Sequence, residues 1–166
     1  MSKRIPLTQG KFAIVDDADF ERINQWKWFA AKGRSTYYAR RSIWENGKTR
    51  NIQMHRVILN TPPGKQSDHI NGDGLDNQRV NLRACTNSQN QMNRRKWGNC
   101  SSIYKGVYWD SCRRRWRALI QRNKRQRRLG YYDTPKEAAI AYDEAAERLF
   151  GGFALSHFGK EAADAS

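Results

Sequence analysis

The chain has 166 residues, with 31 Lys and Arg against 16 Asp and Glu, for a formal net charge of +15. That length holds one medium domain or two small ones, and so basic a balance points to a polyanionic partner, nucleic acid ahead of an anionic membrane surface. No apolar run approaches the roughly 20 residues that span a bilayer, and the start MSKRIPLTQG lacks the apolar segment of a signal peptide.

Cys85, Cys100 and Cys112 form no C-x-x-C pair, so neither a disulfide framework nor a cysteine zinc site is indicated. These features predict a soluble, intracellular protein with reduced cysteines. Residues 1 to 60 read as a small β-rich region. KFAIVDD is a strand ending in acidic turn residues, and DFERINQWKWFAAKG a short helix followed by an aromatic strand. STYYARRSIWENGKTRNIQMHRVIL reads as a hairpin, because Asn46-Gly47 is a favoured type I′ turn pair between β-rich runs. Trp26, Trp28, Phe29, Tyr37, Tyr38 and Trp44 are assigned to the core in preference to base stacking.

Residues 61 to 78, TPPGKQSDHINGDGLDNQ, carry almost every turn-forming residue type and few apolar ones, which makes them loop or hairpin tip. Thr86 and Gln89 have the spacing of a capping box, so a short helix bearing Asn90 follows. Beyond a basic linker, IYKGVYW, RRRWRALIQ and RQRRLGYYD read as three short strands. PKEAAIAYDEAAERLFG is then a helix with Pro at its first turn and Gly at its end. Alternation in the second strand puts Trp116, Ala118 and Ile120 on a packed face and Arg115, Arg117, Leu119 and Gln121 on a basic one. Ala138, Ala141, Ala145 and Ala146 let the helix approach the packed face, with Ile140 and Leu149 filling its margins.

Phosphodiester hydrolysis needs a base to activate water and a divalent metal to stabilise the charged phosphorane and the leaving oxygen. Asp68 and His69 offer a metal ligand and a base side by side. Adjacent strand residues point to opposite sides, so the metal shell needs another element, which Asn90 can supply. Hard cations accept carboxylate and amide oxygens and are poorly anchored by a lone His, which leaves His69 as the base. A calcium loop does not fit: a start at Asp68 puts Ile70 third, and a start at Asn71 puts Leu75 fifth.

DHINGDGLDNQRVNLR followed by SQNQMNR resembles the HNH nucleases, specifically the phage-type homing endonucleases with a ββα-metal fold. The resemblance implies His69 as general base, Asp68 and Asn90 as metal ligands, and Asn81 as the asparagine bracing the connecting loop, with Asn77 the second candidate for that role. His55 and Arg56 in MHRVIL resemble a His-Arg pair that precedes the motif, implying scaffold or phosphate contact. Arg56 and Arg83 are the candidates to hold the scissile phosphate. Mg²⁺ is the implied cofactor, with Mn²⁺ the alternative. Double-stranded DNA is the implied partner, and the cytoplasm of a bacterium or a phage-infected host the implied location.

Residues 102 to 158 resemble the DNA-binding domain of the APETALA and ethylene-response-factor plant regulators, through YKGVYW, RWRALI, RLGYYDTPKEAAIAYDEAAERLFG and FALSHF. In that family a three-stranded antiparallel sheet lies in the major groove with the helix behind it. The resemblance implies a DNA-binding set of Lys105, Tyr108, Arg113, Arg114, Arg115, Arg117, Arg128 and Tyr142. Tyr108, Asp110 and Leu119 depart from the plant pattern, so the base-reading code does not transfer.

The expected fold is thus α+β. A β-rich region (1–60) leads into a ββα-metal HNH nuclease module (61–95). A basic linker (96–101) follows, then a three-stranded antiparallel sheet packed on one helix (102–158) and a tail (159–166). The expected function is a metal-dependent endonuclease that nicks or cuts double-stranded DNA. The rival readings are a non-catalytic DNA-binding regulator and an RNA binder. No segment specifies an oligomeric state.

Overall fold

A computed structural model of the chain describes residues 1–93, 101–123 and 125–158. Nearly all of the expected linker and the whole of the tail lie outside the described residues. The chain divides into two compact units, Met1–Asn90 and Gln91–Ser166.

The first unit opens with the antiparallel strands β1 (Ser2–Pro6) and β2 (Phe12–Asp16), followed by helix α1 (Asp17–Asn24). Strands β3 (Phe29–Lys32), β4 (Tyr37–Glu45) and β5 (Lys48–Gln53) form a three-stranded antiparallel sheet. Asn46 and Gly47 join β4 to β5 with φ of 52° and 73°, the left-handed pair a type I′ turn requires.

MHRVIL departs from the hairpin expectation and forms the six-residue helix α2 (Met54–Leu59). Met54 and Ile58, four apart, drop into the core, and Asn60 at φ 47° ends the helix. A second small antiparallel pair, β6 (Gln66–His69) and β7 (Leu82–Cys85), is followed by helix α3 (Asn87–Asn93). The capping box forms at the start of α3: Gln89 N–H donates to Thr86 Oγ1 (3.2 Å) and Thr86 N–H to Gln89 Oε1 (2.9 Å).

Ile5, Val15, Ile23, Trp28, Met54 and Ile58 share one core with Leu82 of β7. The N-terminal strands and the β6–β7 pair are therefore held by the same buried surface. Each such fully buried side chain contributes about 1.5–3 kcal/mol. Trp28 also satisfies its indole N–H on the Ile23 carbonyl at 2.9 Å.

Trp44 does not join this core and is 73% exposed. β3 pairs with β4 only as far as Arg40, so from Ser42 outward the sheet narrows to the β4–β5 ribbon.

In the second unit β8 (Val107–Asp110), β9 (Arg115–Arg122) and β10 (Arg125–Tyr132) form an antiparallel sheet with β9 central. Helix α4 (Pro135–Phe150) packs on it. Thr134 Oγ1 accepts from Glu137 N–H (3.2 Å), which caps the helix where Pro135 begins it.

The buried stripe of α4 runs through Ala138, Ala139, Tyr142, Ala145 and Ala146, while Ile140 is 39% exposed. The stripe is thus rotated from the expected one, with Tyr142 supplying the bulk. Gly106, at φ +77°, lies so close under that ring that an added Cβ would stand 2.2 Å from it. The closing FALSHF segment is tied down by His157. Its backbone N–H and its ring Nδ1 both bond the Asp143 carboxylate, and its Nε2 accepts from the Lys105 N–H at 2.9 Å. Among the described residues no helix is long and apolar enough to cross a membrane.

Candidate active site

The segment between β6 and β7 is a polar loop whose backbone is satisfied by its own short side chains. Asn71 Oδ1 accepts from Asp73 N–H (2.8 Å) and Asp73 Oδ1 from Leu75 N–H (3.0 Å), two Asx turns in succession. Asn81 staples the loop: its Oδ1 accepts from Asn71 N–H (2.9 Å) and its Nδ2 donates to the Asp76 carbonyl (2.8 Å). Gly72, at φ +77°, provides a left-handed turn position. Gly74 serves a different purpose, because an added Cβ would stand 2.4 Å from the Tyr37 carbonyl and 2.6 Å from the Tyr38 ring. The loop therefore packs directly against β4.

Contacts sixty residues apart in sequence fix the same loop to the N-terminal strands. Ile14 N–H donates to the Leu75 carbonyl (2.9 Å) and the Ile14 carbonyl accepts from Asn77 N–H (2.7 Å). Asp16 accepts from Arg79 N–H (2.8 Å), and the Arg79 guanidinium forks onto buried Asp19 at 2.6 and 2.9 Å. That fork holds the Asp19 carboxyl below the usual carboxylate range. Asp16, Asp19 and Arg79 are not singled out by the sequence, and Tyr38 reads only as a core aromatic. Of these, Asp16 alone leaves a trace, in the acidic pair ending KFAIVDD, which reads equally well as a turn.

His69 is 5% exposed and sits in an aromatic corner. Its ring meets His55 edge to face at 4.9 Å between centroids, and Tyr38 at 5.9 Å. Its Nε2 lies 3.4 Å from Asn77 Oδ1. Asn77 Nδ2 donates to the Leu75 carbonyl (3.0 Å), which fixes the amide with its oxygen toward the histidine. Nε2 is therefore the protonated nitrogen and Nδ1 the basic one. Burial pushes the His69 pKa below the ordinary histidine value, opposed by the Asn77 bond and by Asp68, Asp73 and Asp76.

His55, on α2, is 4% exposed; its Nε2 bonds Gln53 Oε1 at 2.8 Å and its buried Nδ1 has no hydrogen-bond partner among the described residues. Burial, and then the charges of His69, Arg56 and Arg40, lower its pKa to about 3.

Asp68 lies on the opposite side of β6 from His69, directly across from Arg83 in register. Its Oδ2 accepts from Arg83 Nε (2.9 Å) and Nη2 (2.7 Å). Arg83 is thus committed to the carboxylate, and Arg56 donates to the Lys65 carbonyl (3.2 Å). Asn90 bonds through Nδ2 to Gln66 Oε1, and Gln66 shares its face of β6 with Asp68. Asp68 thus neighbours Arg83, and Asn90 neighbours Gln66 two residues before it, while His69 meets His55 and Asn77 and feels the Asp68 charge. Among the described residues no three His, Cys, Asp or Glu side chains are grouped to hold a metal. One carboxylate with an amide oxygen, completed by water and substrate phosphate, suits a hard, hydrated cation such as Mg²⁺ rather than zinc.

In the second unit Tyr108, Arg115, Arg117 and Arg128 stand on the sheet face turned away from α4, by their registers with one another. Arg115 pairs with Asp133 (2.8 Å) and Arg117 more loosely with Asp110 (3.8 Å). Arg113 and Arg128 stack on Tyr131, with guanidinium carbons 4.9 and 5.3 Å from its ring centre. Arg114 holds the turn before β9 at φ +50°. Lys105 Nζ donates to the carbonyls of Gln91 (3.1 Å) and Met92 (2.7 Å). Tyr142 is a correction to the DNA-binding set: it is 3% exposed and buried in the helix–sheet core, with its hydroxyl pKa raised chiefly by that burial.

A buried histidine in a polar hairpin is thus joined in one chain to an arginine-faced sheet. Comparison with known proteins gives the family. Residues 60–92 match the family model described as HNH endonuclease, and residues 102–152 that of the AP2 domain. A protein of Acanthamoeba polyphaga mimivirus, named an uncharacterized HNH endonuclease, is 31% identical over 152 residues, 88% of this chain and 74% of its own length. No solved structure matches the chain. The chain belongs to the HNH endonuclease family and carries an AP2 domain in its second unit.

Proposed function

We propose that the protein is a metal-dependent endonuclease of the homing type, which binds double-stranded DNA through its AP2 unit and hydrolyses a phosphodiester bond at His69. The observation that carries this reading is the setting of His69: Asn77 Oδ1 accepts a hydrogen bond from Nε2–H, which leaves Nδ1 as the basic nitrogen, and burial lowers the pKa. A base in this state is ready at neutral pH. Nδ1 takes a proton from water as the water oxygen attacks phosphorus in line. The bond from phosphorus to the 3′ oxygen breaks, and that oxygen takes a proton from solvent water, leaving a 5′-phosphate and a 3′-hydroxyl.

Asp68 and the Asn90 amide oxygen would hold the cation, Mg²⁺ or alternatively Mn²⁺. When bound, it supplies positive charge to the phosphorane and the departing 3′ oxygen. Arg83 keeps the Asp68 carboxylate oriented until then. The arginines of the β8–β9–β10 face hold the duplex, with phosphate contacts giving affinity and base-edge contacts giving register. The homing type rests on the likeness of Asp68-His69 and Asn90 to the phage enzymes.

Supercoiled plasmid incubated with the protein tests the metal. Relaxation or linearisation is expected with Mg²⁺ or Mn²⁺ and absent in chelator. Asp68→Asn and Asn90→Ala should raise the metal concentration for half-maximal cutting by about tenfold or more, the usual loss for an altered metal shell. Cutting in chelator, or an unchanged metal requirement in both variants, contradicts the assignment.

A further inference from the structure

Resting on the endonuclease reading, we infer that one face of the β4–β5 ribbon, bearing Arg40 and Trp44, is a second DNA-binding surface that leads the duplex to His69. Side chains on one strand face alternate, so Tyr38, Arg40, Ser42 and Trp44 share a face, with Asn51 and Thr49 opposite the last two. At the inner end of this face is Tyr38, whose ring abuts His69 and His55. At the outer end is Trp44, 73% exposed beside the Asn46-Gly47 turn. Six residues of strand span about 20 Å, roughly six base-pair steps of duplex.

The two faces of the ribbon differ in how their charges are used. On the far face Arg41 stacks on Trp26 with its guanidinium carbon 3.9 Å from the ring centre, and Arg50 pairs with Glu45 at 3.5 Å. On the near face no acidic residue lies between Tyr38 and the turn. Arg40 there faces Gln53 across the sheet, acts on His55 electrostatically, and has a buried Nε with no hydrogen-bond partner among the described residues. Arg83 and Arg56, the candidates to hold the scissile phosphate, are spent on Asp68 and on the Lys65 carbonyl. Among the described residues Arg40 is thus a cation that acts on His55 and has no partner at its Nε, and a strand phosphate matches it in charge and geometry. An exposed tryptophan further along gives a flat apolar surface to stack on sugar or an opened base step.

The test uses the full chain without divalent metal, so that nothing is cut, mixed with a random-sequence duplex library. Benzoylphenylalanine is placed at position 44, and in a second protein at position 45 on the far face. Crosslinking to DNA at least tenfold stronger from 44 than from 45 is expected. Arg40→Gln should lower the slope of log affinity against log salt by about one, the signature of one lost phosphate contact. Equal or absent crosslinking from 44, in a chain that still shifts duplex on a gel, overturns the ribbon surface and leaves the endonuclease reading standing. An unchanged salt slope removes Arg40 from it, and a chain that binds no duplex overturns both readings.

Discussion

Acidification should weaken the nuclease unit through His55, and the size of the effect follows from its surroundings. The imidazole is 4% exposed, lies edge-on to His69 and is held near pKa 3 against 6.5 for a free histidine. Its folded pKa lies below its unfolded one, so on acidification the unfolded chain takes up a proton that the fold refuses. The contribution is fully present above about pH 6.5 and is lost as pH falls toward 3. At about 1.4 kcal/mol per pH unit, the loss reaches roughly 2 kcal/mol by pH 5. His69, shifted in the same direction, adds to the loss, so the comparison must be with His55→Gln rather than with theory alone. Urea unfolding at pH 7.5 and pH 5, followed by hydrogen exchange of the amides of β2 and α2, reports this unit separately from the AP2 unit. Wild type should lose about 2 kcal/mol more than the variant between the two pH values. Equal losses in both proteins refute the reasoning.

Three further outcomes follow from the geometry. The Asn77 bond raises the His69 pKa against burial, so Asn77→Ala should move the acid limb of the pH–rate profile for nicking to lower pH; a limb that stays or rises contradicts this. Gly74→Ala puts a Cβ against the Tyr37 carbonyl and the Tyr38 ring and should cost about 1–3 kcal/mol in urea unfolding, with cutting impaired because Tyr38 packs on His69; a neutral change would show that the loop does not seat on β4. Gly106→Ala meets the Tyr142 ring and the Leu119 carbonyl at a left-handed position. It should sharply weaken duplex binding while leaving amide protection in β2 and α2 intact, and unchanged affinity would contradict the packing described for the AP2 unit.

Signals confined to a few neighbouring residues were legible in the sequence. The Asn46-Gly47 turn, the Thr86/Gln89 box, Pro135 in the first turn of α4 and the alternation of β9 all depend on short-range chemistry, and each forms. What the sequence hid depends on tertiary packing. MHRVIL is too short to display helical periodicity, and becomes a helix because Met54 and Ile58 find a core built from β1, β2 and β7. Trp44 reads like the other aromatics of its run, yet its part of the ribbon extends past the layer that buries Trp28. Tyr142 lies on a helix of alanines, where only the depth of the sheet decides that it fills the core. At the site, Asp68, His69 and Asn90 stood out by residue type and the resemblance pointed to Asn81 as the loop brace, but that Asn77 instead orients the histidine requires knowing which groups its amide meets. Gly74 reads as a turn residue, whereas the constraint on it is the approach of Tyr38.

The central claim is that His69 is the base and that binding is carried elsewhere. Nicking of supercoiled plasmid and gel-shift affinity for duplex, measured side by side for wild type and His69→Ala with Mg²⁺, test it most directly. General-base catalysis contributes about 10²–10⁴-fold, so the variant should lose nicking by at least about a hundredfold while its affinity stays within about twofold of wild type. A variant that cuts as fast as wild type, or one that loses binding and cutting together, contradicts the account.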